Sequence, residues 1–134
     1  MYLKDLMQGE QFAFYSIVMK MVYVDGAFSG EEQDLVKGFL DEMGLEKAQI
    51  RDIPFEDAVD MFSYSSPAAR RKVFVELVGV ALCDEVFHVN EQALLDNIAN
   101  RFGITENEKN AIVQTVRDLL GIYKKLQDFV YGKP

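Results

Sequence analysis

Four carboxylates recur at one spacing in this chain: Asp25 with Glu32 and Asp84 with Glu91, each pair seven residues apart. Residues 25–45 and 84–104 around them align without a gap at an offset of 59. Six of the 21 positions are identical, namely Asp25/Asp84, Phe28/Phe87, Glu32/Glu91, Gln33/Gln92, Leu35/Leu94 and Gly44/Gly103. Background usage gives about one or two matches in such a window. Oxygen donors at this density suit a hard divalent cation, Ca²⁺ or Mg²⁺. Glu31 and Asp34 in the first unit, and Glu85 and Asn90 in the second, are further oxygen donors. The same residue types also work without a metal. An Asp at a helix end and a Glu in the first turn of the next helix satisfy backbone amides that no helical carbonyl reaches. The sequence fits both uses.

Other chemistries find no constellation. An EF-hand loop begun at Asp25 places Gly30 at its sixth position, but Ala27 at the third and Val36 at the twelfth, so the bidentate Glu is missing. Cys83 and His88 are the sole Cys and His, too few for a zinc site. Cys83 is expected to pack at the end of a core helix. Ser63, Ser65 and Ser66 have no base partner and are read as residues that end and cap helices. No glycine loop of the phosphate-cradling type occurs. Arg70, Arg71 and Lys72 form one basic cluster, of a kind that is usually solvated. The chain is therefore expected not to be an enzyme.

The elements that must position these carboxylates are helices. Phe12, Tyr15, Met19 and Val22 recur at helical spacing, with Phe14, Ile17, Val18 and Met21 on an adjoining face, so a mostly apolar helix is expected to start within 3–10 and close at Gly26. Ser29-Gly30-Glu31-Glu32 reads as a capping box opening a second helix, which buries Leu35, Val36, Phe39, Leu40 and Met43 and stops at Gly44. Pro54 is placed at the first position of a third helix carrying Phe55, Ala58, Val59 and Phe62. Ser66-Pro67 caps a fourth, running to about Cys83 and pairing with the first as the central helices. Asn90 is the expected cap of a fifth, which ends at Phe102-Gly103. Thr105 to Glu108 reads as another capping box, opening a last helix to about Tyr131 whose buried stripe is Ile112, Val116, Leu119, Leu120, Tyr123, Leu126 and Val130. No segment alternates with period two. The expected fold is all-α, a single domain over 1–134 with about six or seven helices in two pseudo-repeats, about 10–62 and 67–130.

Charge narrows the partners. The formal net charge is −8. All of it falls between residues 25 and 60, which hold 11 acidic and 3 basic residues, while the remainder is balanced. That field repels phosphate and anionic membrane, so no nucleic acid is expected, and a cation or a protein with a basic surface is the natural counterpart. The apolar runs are too short for membrane insertion. A single cysteine excludes an intrachain disulfide and agrees with a reducing, cytoplasmic setting.

Val24-Asp25-Gly26-Ala27-Phe28-Ser29-Gly30-Glu31-Glu32, and its counterpart from Cys83 to Glu91, resemble the acidic loop of the TerB-like family, named for tellurite-resistance proteins. The likeness covers roughly 10–130. It implies a duplicated helical fold and a cytoplasmic bacterial protein linked to stress or tellurite resistance. It also implies divalent-cation binding through Asp25, Glu32, Asp84 and Glu91. This chain departs from the pattern in carrying Glu85 where the first loop has Gly26, and in concentrating its acidic bias in the first half.

Overall fold

Two helices without a polar face must lie inside, and the remaining elements arrange themselves around them. The structure, a computed structural model, describes residues 1–24, 29–83 and 88–132. Among these are six α-helices and no strand: α1 (Gln8–Tyr23), α2 (Gly30–Met43), α3 (Phe55–Met61), α4 (Pro67–Leu82), α5 (Val89–Arg101) and α6 (Glu106–Tyr131). Single 3-10 turns lie at Leu3–Asp5, Lys47–Gln49 and Phe62–Tyr64.

The central pair is α1 and α4, which touch each other. Ala13, Phe14, Ile17, Val18 and Met21 of α1, and Val73, Phe74, Leu77, Val78 and Ala81 of α4, are fully buried. Helix α3 lies on α1, and α5 and α6 lie on α4. Phe39 reaches in from α2 to meet Phe14 edge to face, with centroids 5.2 Å apart, and Phe62 packs on Phe102 at 5.4 Å. Aromatic pairs of this geometry add to what their buried area already contributes.

The helix ends follow from local hydrogen bonding. Gly44 (φ 67°) and Gly103 (φ 74°) take the left-handed conformation. The amide of Leu45 then donates to the Leu40 carbonyl and that of Gly44 to Asp41, while Ile104 donates to Ala99 and Gly103 to Asn100. These are the same two bonds at the same 59-residue offset. Ser66 Oγ accepts the amide of Ala69 at 3.1 Å, with Pro67 in the first turn where no amide is needed.

Four expectations need correction. Pro54 is the residue before α3 rather than its first, a shift of one position. Asn90 is already helical and His88 occupies the cap, because α5 begins one residue earlier at Val89. At α6 only half of the capping box forms: Thr105 Oγ1 accepts the amide of Glu108, but the Glu108 carboxylate is taken by the guanidinium fork of Arg71 at 2.8 and 2.9 Å. Two charge-assisted bonds outcompete one neutral amide. The buried stripe of α6 holds only as far as Val116. Leu119, Leu120, Tyr123, Leu126 and Val130 are 37% to 71% exposed. The reason is length, since α6 spans about 39 Å and α4, on which it packs, about 24 Å at 1.5 Å per residue. The proposed closure of α1 at Gly26 lies outside the described residues.

Candidate functional site

Glu32 and Glu91 occupy the first turn of α2 and α5, the two helices that follow the acidic loops. Both are buried, 5% and 2% exposed, which is rare for a carboxylate without compensating partners. The sequence around Glu32 builds a reciprocal cap. The Ser29 amide donates to Glu32 Oε1 at 2.9 Å, and the Glu32 amide donates to Ser29 Oγ at 3.1 Å. This bond satisfies one lone pair of a group that can accept about four hydrogen bonds. At α5 His88 stands where Ser29 does and its side chain makes no cap bond. Glu91 itself has an interaction partner.

The remaining sequence-proposed donors divide clearly. Glu31 and Asp34 are exposed on α2, and Asp34 lines a groove with Leu35, Phe39 and Cys83. Asn90 is exposed in the first turn of α5. Asp25, Asp84 and Glu85 lie outside the described residues. Their described flanks are Val24 and Cys83. Val24, the last described residue before the first loop, shares a surface depression with Asn90, the neighbour of Glu91. Cys83, the last before the second loop, shares a groove with Asp34 and Leu35 of α2, the helix that carries Glu32. Among the described residues, no three Asp, Glu, His or Cys side chains come together to hold a metal.

Residues singled out for other chemistry prove structural. Arg70 donates to the carbonyls of Phe62 and Ser65, Arg71 to Glu108, and Lys72 to Asp5, so each member of the basic cluster has a partner within the chain. Ser63 Oγ donates to the Asp60 carbonyl and Ser65 Oγ to Glu10, consistent with ending and bracing helices. Cys83 is the C-terminal cap of α4 and partly buried, as expected.

Sequence reasoning missed three polar anchors. Glu42 and the buried Glu76 both accept from the amino group of Met1, at 2.7 and 2.9 Å, and Glu42 also accepts the Leu3 amide at 2.8 Å. Partial burial pushes the Glu42 carboxyl up, but the amine and the Leu3 amide outweigh it and leave it below the usual value. Arg101 at the end of α5 reaches Glu56 and Asp60 of α3, each at 2.6 Å. Lys109 of α6 pairs with Asp96 of α5, and that hydrogen bond is the main reason its ammonium is held above the ordinary lysine value. Each anchor joins elements far apart in sequence, and no local spacing announces such pairs.

No helix among the described residues is long and apolar enough to cross a membrane. No match was found among curated proteins or among solved structures. One family model does match, described as tellurite resistance protein TerB, over residues 11–114. That span takes in α1 to α5, both acidic loops and the packed start of α6. An all-helical chain with two acidic helix-connecting loops and a family match over most of its length belongs to the TerB family.

Proposed function

We propose that this chain is a non-enzymatic, cytoplasmic TerB protein that binds a divalent cation, Ca²⁺ or Mg²⁺, through its acidic helix-connecting loops, in support of tellurite or stress resistance. The observation that carries the reading is the burial of Glu32 and Glu91 at matching helix starts, each in the first turn after an acidic loop. Two buried carboxylates, with the acidic Asp25, Asp84 and Glu85 close to them in sequence, make up a hard-oxygen donor set that fits such an ion better than zinc. A bound ion would neutralise the charge gathered at these helix starts.

Titrating Ca²⁺, Mg²⁺ and Mn²⁺ while following the melting temperature tests this, because a ligand of the native state alone raises stability by mass action. A cation-dependent rise, reversed by chelator, is expected. A melting temperature that stays flat to millimolar cation rules the reading out.

The capping box at Ser29 favours a second reading, in which the loop carboxylates are helix caps and the protein is an acidic interaction module. Glu31, Asp34 and Asp41 on the exposed side of α2 would then meet a basic protein surface. Association on that basis weakens with salt and survives chelation, the reverse of the pattern for a metal-dependent contact.

A further inference from the structure

The exposed half of α6 lies beyond the family match, and its side chains are not those of a solvated helix. Leu119, Ile122, Tyr123, Leu126, Phe129 and Val130 are 47% to 84% exposed. Ile112, Val116, Leu119, Tyr123, Leu126 and Val130 alternate steps of four and three residues, the spacing of helices that pack along a common seam. On that register Arg117, Asp118, Lys124, Lys125 and Asp128 all fall on the outer positions. The positions flanking the seam, which usually carry charge in two-stranded coils, are here Leu120, Ile122 and Phe129, with Gln127 as the polar exception. So wide an apolar face requires more than one neighbouring helix.

The same chain presents a receptacle. A groove between α2, α4 and α6, lined by Leu35, Phe39, Val75, Val116, Leu119 and Leu120, continues directly into the exposed face. Gly38 of α2 and Gly79 of α4 also line it, and a Cβ at either would meet nothing within 4 Å. Glycine inside a helix is unfavourable, and no close contact within the chain requires it at these two places. The open space suits close approach of another helix. Charge agrees: α2 carries five carboxylates against Lys37, whereas residues 117–131 carry three basic and two acidic groups. The exposed side chains together come to the order of the ~800 Å² that each partner contributes to a standard interface.

We propose that two copies of this chain associate through α6, the tail of each lying antiparallel to its partner and filling the partner's groove at Gly38 and Gly79. Insert and receptacle are on one molecule, so a two-fold axis closes the contact without leaving either face open. The pairing does not depend on a cation.

Sedimentation equilibrium of the full chain at micromolar concentrations, with chelator present, tests the pairing. A mass twice 15.3 kDa is expected. Leu126→Lys combined with Phe129→Lys changes side chains that are 55% and 84% exposed in one copy, so it is expected to give a monomer with unchanged helicity. Gly38→Glu, on a different helix, is expected to give a monomer as well, since it places a carboxylate in the groove. A monomeric parent chain overturns the proposal, including one that instead binds phospholipid vesicles or captures another protein. A dimer that survives either variant overturns it too.

Discussion

At the scale of single residues, the fold rests on positions where one backbone or side-chain choice is forced. Gly103 sits at φ 74° and closes α5 with two hydrogen bonds, so Gly103→Ala is expected to cost about 1–2 kcal/mol although the added methyl meets nothing. Chemical denaturation read by circular dichroism measures this, and Gly44→Ala should match it. Ser66→Ala removes the acceptor for the Ala69 amide and should cost about 1 kcal/mol by the same measurement. These positions were legible in the sequence because glycine after an apolar stripe, and Ser-Pro before one, announce a local geometry. Glu42, Arg101 and the bond of Lys109 to Asp96 were not, since these partners lie 13 to 45 residues away and only the packed helices bring them within reach. Glu108 shows the same limit in reverse. Its local motif promised a cap, and a distant arginine claimed the carboxylate.

At the scale of elements, burial separates α1 and α4 from the end of α6. Phe14 is fully buried against Phe39, so Phe14→Ala should cost about 3–5 kcal/mol through lost transfer energy and the cavity left behind. Phe129 is 84% exposed, and Phe129→Ala should leave the stability of a single copy within about 0.5 kcal/mol. Parallel urea titrations at a concentration low enough to keep the chain monomeric compare the two directly. Phe14 lies on an apolar helical stripe in the sequence, and so do Leu126 and Val130 beside Phe129, which is why periodicity alone assigned those stripes to the interior. Periodicity reports that a face is to be covered. It does not say whether the cover comes from the same chain, and here α6 outruns the helix that would supply it.

At the scale of the whole molecule, charge and pH come forward. The carboxyls of Glu42 and Glu108 are held below the ordinary value of 4.5, so the stability they contribute is complete above that pH and is lost as pH falls through their lower folded values. The Met1 amine and Lys109 are held above 8.0 and 10.5 respectively, so their contributions are complete below those values and are lost as pH rises through the higher folded ones. Melting temperature should therefore be level from about pH 5 to 8 and decline on both sides. A maximum displaced into the acid range would contradict these pairings.

The helical class, the family and the two acidic helix starts could all be read before any coordinates, because they rest on period, caps and a repeated motif. The burial of Glu32 and Glu91 could not, since it depends on how the helices pack rather than on local spacing. That burial is what the proposed cation binding rests on. Calorimetric titration of Mg²⁺, Ca²⁺ and Mn²⁺ into the full chain and into the Glu32→Gln, Glu91→Gln double variant tests it most directly. Saturable binding by the parent chain, weakened at least about tenfold in the folded variant, is the expected result. No binding heat in the parent chain, or equal affinity in the variant, would contradict it.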